Sequence, residues 1–210
     1  MLPDCSLYRA FIFSLFLVFS TSWTGWCTLN SSVDKFRNQT VSEKQIVRLA
    51  RFDHLIRYFC NFSYFEPNHK VSPDFIRALI LAESGANPNA ISNKKAFGLG
   101  QIILTTGQKA GRELAKSNTH FRYVSKAQLK NLRSADLLDP AVNILLVCYL
   151  VAKYNYKFDG RLDLVVSAWN AGEYTKSLSL GKHAPYRETE NLIGKINAYY
   201  IYLLKNRVFP

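Results

Sequence analysis

The run SPDFIRALILAESGANPNAISNKKAFGLGQ, residues 72–101, decides how this chain is read. Ser72, Pro73 and Asp74 supply in order an N-cap hydroxyl, a first-turn proline and a first-turn carboxylate, so a helix begins here. Gly85 ends it, because the residue closing a helix often adopts a left-handed conformation that glycine reaches without steric cost. Between these limits Phe75, Ile76, Leu79 and Ile80 form one apolar stripe at helical spacing, and the next position on that stripe is Glu83. A carboxylate facing a core loses hydration, which disfavours its charged form and raises its pKa. That is the condition under which a glutamic acid donates a proton near neutral pH. The competing reading is an acid at the edge of the stripe, paired with a lysine or reaching water. Beyond Glu83, residues 84–90 are rich in turn formers, and Ser92, Gly98, Gly100 and Gln101 add polar and flexible positions. A cleft wall fits this better than a packed interior.

Outward from this segment the apolar spacing stays helical. Ile46, Leu49, Ala50, Ile56 and Phe59 predict one long helix from Ser42 to about Phe62. A short helix or loop covers Ala96 to Lys116. An apolar helix runs from Leu137 to Asn155, entered through Asp139 and Pro140, and another from Leu162 to Trp169. Leu192, Ile193, Ile196, Tyr199, Tyr200, Leu203 and Leu204 mark the last. No segment alternates with period two over five residues, so the fold is mainly α, with at most a small irregular β region near residues 87–100. Tyr149, Tyr154, Trp169, Tyr186, Tyr199 and Tyr200 are platforms of the kind sugar rings use, although core packing accounts for most of them.

Composition bounds the function. The chain has 210 residues, 48% of them apolar, which suits one globular domain and excludes a disordered tail. Lys and Arg number 27 against 15 Asp and Glu, a formal charge of +12 that would attract nucleic acid, an anionic membrane or an acidic wall polymer. The cations are scattered and no recognition-helix, RRM or zinc-finger pattern occurs, which argues against nucleic acid. No metal or nucleotide motif is present, so no cofactor is expected.

The N-terminus points to export. One cation precedes the apolar run AFIFSLFLVFS at residues 10–20, and the small residues Ser20 to Ser22 follow it. Residues 1–22 therefore read as a signal peptide, with an uncleaved membrane anchor as the alternative. Residues 23–40 read as a polar linker and 41–210 as the domain. Trp26 stands where a small residue precedes a lipidated cysteine, which argues against lipidation of Cys27. Cys60 and Cys148 lie among apolar helical residues and are expected as buried free thiols, with a disulfide between them as the alternative.

Two stretches, Glu83-Ser84-Gly85-Ala86-Asn87-Pro88-Asn89-Ala90-Ile91-Ser92 and Ala96-Phe97-Gly98-Leu99-Gly100-Gln101, together resemble the E-S-G-x-x-P-x-A-x-S … A-x-G-L-x-Q signature of the soluble lytic transglycosylase (SLT) domain, which has a lysozyme-like fold. Ala168 to Gly172 is similar to the family's A-Y-N-A-G step, and Pro185 to Thr189 to its P-Y-x-E-T step. The three blocks fall in the right order over about residues 71–204.

The resemblance implies an exported enzyme of the cell envelope or periplasm acting on peptidoglycan. It would cleave the β-1,4 bond between N-acetylmuramic acid and N-acetylglucosamine without adding water, leaving a 1,6-anhydro end. It further implies Glu83 as the single acid and base, with Ser92, Gln101, Asn170, Glu188, Tyr186 and Trp169 binding substrate. Ordinary glycosidases need a second carboxylate, whereas attack by the substrate's own hydroxyl does not. A lysozyme-type hydrolase, or a glycan-binding assembly component with weak turnover, are the alternatives on the same fold. Partners beyond glycan strands would be the membrane, through the N-terminal segment, and wall or secretion-apparatus proteins. The chain departs from the family pattern at Trp169 (usually Tyr), Lys95 (Gly), Gly100 (Met), Leu104 (Pro) and Val147 (Gly).

Overall fold

Ser72 accepts from the Phe75 backbone N–H and Pro73 occupies the first turn, so the helix expected after Val71 forms as α4, Pro73–Ser84. Gly85 closes it at φ 59, in the left-handed region. This computed structural model describes residues 29–67 and 69–209. The expected signal segment at 1–22 and Cys27 lie outside the described residues.

The order is α1 (residues 29–36 as described), α2 (Glu43–Ala50), α3 (Asp53–Cys60), α4, β1 (Ala96–Phe97), β2 (Ile102–Ile103), α5 (Leu104–Lys116) and α6 (Lys126–Lys130). A 3-10 turn at Ser134–Leu138 leads into α7 (Pro140–Lys157), followed by α8 (Leu162–Ala171), α9 (Lys176–Ser179) and α10 (Arg187–Lys205). The apolar α7 is buried along most of its length and forms the centre of the core, with α3, α5 and α8 packed on it. It is entered as expected through Asp139, which accepts from Val142 N–H, and Pro140 in the first turn, while Leu137 falls in the preceding 3-10 turn. The long C-terminal helix α10 packs along α4 and α8.

Two expectations need correction. The single helix from Ser42 to Phe62 is two. α2 begins with a Ser42–Gln45 capping box and ends at Ala50, and α3 starts again at Asp53. The interruption places Asp53 in a first turn, where it accepts from Arg57 at 2.7 Å and from the buried Arg77 of α4 at 2.9 Å. Apolar spacing runs on across so short a break, so periodicity does not reveal it. The small β region falls near residues 87–100, as expected: β1 pairs antiparallel with β2 in the register Ala96↔Ile103 and Phe97↔Ile102. Second, residues 29–36 of the expected linker are helical, and Ser32 is buried. A Cβ on Gly194 of α10 would lie 2.5 Å from the Ser32 carbonyl oxygen, so a glycine is needed for this close approach.

Cys60 and Cys148 are buried free thiols, as expected, with sulfurs 3.8 Å apart between α3 and α7. Tyr149 and Tyr199 are core residues. No helix among the described residues is long and apolar enough to cross a membrane.

Candidate active site

Glu83 sits in the last turn of α4, at the wall of a cavity of about 460 Å³. Its carboxyl is pushed up from an ordinary 4.5 to about 7, above all by loss of hydration. Glu188 raises it further, while a hydrogen bond from Trp169 and the charge of Lys195 pull it down. The negative end of the α4 dipole acts in the same direction as burial. Trp169 on α8 donates its indole N–H to Glu83 Oε1 at 2.7 Å. An indole nitrogen can only donate, so Oε1 is held as an acceptor and the proton of the acid form belongs on Oε2. A tyrosine hydroxyl at position 169 would impose no such choice.

Behind the acid, Lys195 of α10 donates to the Ala82 carbonyl at 2.8 Å, satisfying one of the last-turn oxygens of α4. Its own pKa is lowered by burial, against the pull of Glu83. Lys195 lies three residues after Leu192 and four before Tyr199 on an apolar stripe. It shows the same anomaly that singles out Glu83, a signal sequence reasoning passed over.

The loop after α4 is tied down by polar contacts that the sequence motif only hints at. Ser84 Oγ donates to the Leu99 carbonyl at 2.7 Å. Gln101 Nε2 donates to the carbonyls of Ala90 at 3.1 Å and Gly98 at 2.9 Å, from a backbone at φ 50. Ser92 Oγ accepts from Ala96 N–H at 3.0 Å. The floor is set by Asn143 of α7, which has no exposed surface. Its Nδ2 donates to the carbonyls of Leu137 at 2.7 Å and Phe97 at 3.0 Å, and its Oδ1 accepts from Gly100 N–H at 2.8 Å. Asn143 belongs to no motif, and its signal in the sequence is a lone amide within the apolar run of α7.

Gly98, at φ 73, would bring a Cβ to 2.3 Å from the Leu137 carbonyl oxygen. Lys95 adopts φ 56, the left-handed backbone that explains why a glycine is usual there. The departures at 100 and 147 belong together: a Cβ on Gly100 would lie 2.3 Å from Val147 Cγ2 and 3.6 Å from Trp169 Cζ2. Volume removed at 100 is filled from 147, with the Trp169 indole also beside Gly100.

Six of the seven sequence-derived residues line this cavity: Glu83, Ser92, Gln101, Trp169, Asn170 and Glu188. Tyr186 does not line it; it is the N-cap residue of α10 and is 54% exposed. Asn170 Oδ1 accepts from the buried Thr189 hydroxyl at 2.6 Å, and Ser167 Oγ accepts from Ala184 N–H at 3.1 Å, so α8 holds the start of α10 in place. Glu188, at the start of α10, pairs with Lys94 of the loop at 2.8 Å, both side chains largely exposed. Tyr154, Thr106 and Leu150 complete the wall beside Trp169. Among the described residues, no group of three or more His, Cys, Asp or Glu is placed to hold a metal ion. Chemically the cavity offers one partly buried acid with a donor fixed on one oxygen and the other oxygen free to carry a proton.

A family model described as "Transglycosylase SLT domain" matches residues 61–190. A Haemophilus influenzae protein named "Putative soluble lytic murein transglycosylase" is 29% identical over 157 residues, covering 68% of this chain and 24% of that protein. The crystal structure of the 70 kDa soluble lytic transglycosylase of Escherichia coli superposes with a TM-score of 0.57 at 21% identity, covering 74% of this chain and 24% of that one. The 70-kDa enzyme in complex with bulgecin A gives a TM-score of 0.58 at 21% identity, over the same shares. The fold is thus the one these enzymes contain, and the chain spans about a quarter of the length of the relatives it matches.

Proposed function

From a chain that belongs to the transglycosylase SLT domain family, we propose an exported peptidoglycan lytic transglycosylase in which Glu83 is the one general acid and base. The observation that carries this is the carboxyl itself: raised to about 7 by burial, at the wall of a sugar-sized cavity, with Trp169 on one oxygen. In the acid form Glu83 donates the Oε2 proton to the glycosidic oxygen as the bond from muramic acid C1 breaks. The resulting carboxylate, stabilised by the Trp169 N–H and Lys195, then takes the proton from the muramoyl C6 hydroxyl as its oxygen bonds to C1. One proton enters the leaving group and one returns to Glu83, with no water consumed.

Ser92, Gln101, Asn170 and Glu188 would hold the acetamido and hydroxyl groups of the sugars in this cavity. The polar wall supports that assignment. The excess positive charge suits retention on an anionic wall. Export and an envelope location rest on the N-terminal segment.

A second reading has its own observation. Glu188 is a second carboxylate in the same cavity and could activate water, which would make the enzyme a hydrolase. Its ion pair with Lys94 and its exposure argue against that role. Digestion of purified sacculi, with mass analysis of the released muropeptides, separates the two. Anhydro ends are expected from the wild type and none from Glu83→Gln; products bearing only reducing ends, or equal release by both proteins, would refute the mechanism.

A further inference from the structure

Three elements that line the cavity carry on beyond it at the Tyr154 end. On α7 the cavity-lining residues Leu150 and Tyr154 continue, at the next helical step, to Lys157. On α5 the lining residue Thr106 continues one turn on to Lys109. At the end of α8 the lining residues Trp169 and Asn170 are followed, past the helix, by Glu173 and Tyr174. All three walls converge, because Lys109 and Lys157 stand 5.5 Å and 4.6 Å from the Tyr174 ring centre. Tyr174 is 80% exposed, the most open of the large apolar and aromatic side chains among the described residues.

The charges at this exit are unevenly matched. Glu173 is the carboxylate for Lys109 at 3.5 Å, Lys157 at 3.0 Å and Lys153 at 3.7 Å. Glu113 is taken by Lys153 and by the Tyr149 hydroxyl, at 3.2 Å and 2.7 Å. Lys109 and Lys157 therefore share one carboxylate, with their side chains 50% and 36% exposed. Their hydrogens are only partly satisfied and an incoming anion would complete them.

We propose that Lys109, Lys157 and Tyr174 form a subsite for the anionic peptide stem of a muramoyl residue as the glycan leaves the cleft. This rests on the function proposed above. A glycan strand is longer than the cavity, and one that leaves it past Tyr154 runs out over this end. The group on such a strand that carries carboxylates is the peptide on the lactyl ether. The ammonium groups take the carboxylates, while the Tyr174 face covers the apolar part of the stem.

The test compares two substrates, glycan strands carrying peptides and strands stripped by an amidase, across wild type, Lys109→Gln/Lys157→Gln and Tyr174→Ala. The ratio of kcat/KM on peptide-bearing over stripped strands should fall about 3- to 10-fold in the double lysine variant, as expected for two partly screened ion pairs. The fall should shrink as salt rises. Equal losses on both substrates, or an unchanged ratio, would overturn the subsite. Tyr174→Ala alters a side chain open to solvent, so a lowered ratio at unchanged Tm would separate recognition from folding. Calorimetric binding of a soluble disaccharide-peptide to Glu83→Gln reads the same subsite without turnover. Its Kd should rise about 3- to 10-fold when the two lysine changes are added. If the wild type cleaves neither strand but this Kd still rises, the reaction assignment fails and the subsite stands; an unmoved Kd removes the subsite whatever the reaction.

Discussion

Replacing Glu83 by Gln should make the protein more stable as the pH rises, because the wild-type acid is held in a place that resists its ionisation. The folded pKa is about 7 against an ordinary 4.5. Between those values the native state holds a proton that the unfolded chain has released, so wild-type stability falls as pH rises through that window and levels off above it. A shift of about 2.5 units at about 1.4 kcal/mol each sets a ceiling of about 3.5 kcal/mol, and water in the open cavity reduces this to roughly 1–3 kcal/mol. Gln keeps the shape and the carbonyl acceptor for the Trp169 N–H, but has no charge to bury. The two proteins should therefore unfold at similar denaturant concentrations at pH 4, and the variant should be ahead by about 1–3 kcal/mol at pH 8. In thermal scans this is a few degrees or more for a chain of this size. Every other titrating group is common to both proteins and cancels in the difference. Parallel stability curves from pH 4 to pH 8 would show that Glu83 ionises freely in the folded state, and the reasoning for it as a proton donor would go with them.

Other outcomes follow from the same contacts. Trp169→Phe removes a charge-assisted hydrogen bond that favours the Glu83 carboxylate, so the basic limb of kcat/KM, expected near 7, should move up by about one unit; a limb that stays or moves down contradicts the 2.7 Å bond as its cause. Asn143→Ala leaves the Gly100 N–H and two carbonyls without their partner and should cost about 2–4 kcal/mol in denaturant unfolding; a loss under about 0.5 kcal/mol would mean the loop is held by other means. Gly100→Ala should cost about 1–3 kcal/mol through the clash with Val147, and Val147→Ala should relieve it. Strict additivity of the two changes in a double-mutant cycle would refute the packing exchange.

How much of this was legible in the chain depends on the range of the signal. The limits of α4 and the start of α7 were readable because Ser72, Pro73, Gly85, Asp139 and Pro140 act on their own helix ends. The break between α2 and α3 was not, since Asp53 answers to Arg77 on another helix. The small β region was expected near residues 87–100 without individual strands, because a two-residue strand such as β2 offers no alternation to detect. Within the site, Glu83 stood out as an acid on an apolar stripe, and Lys195 would have stood out by the same test. Asn143, a lone amide in the apolar run of α7, stands out in the same way, whereas Thr189 and the Lys109–Lys157–Tyr174 group carry no local anomaly.

By itself the sequence determined a helical domain with one carboxylate directed inward ahead of a turn-rich loop, since caps, stripes and turn formers act within a few residues. Only the tertiary structure decided what surrounds that carboxylate: the Trp169 N–H from 86 positions away, the Lys195 cation on the last helix, and Glu188 held by Lys94. Spacing along a chain says which way a side chain leaves its own helix. Which donor or charge it meets there depends on how whole helices pack, and that sets the pKa.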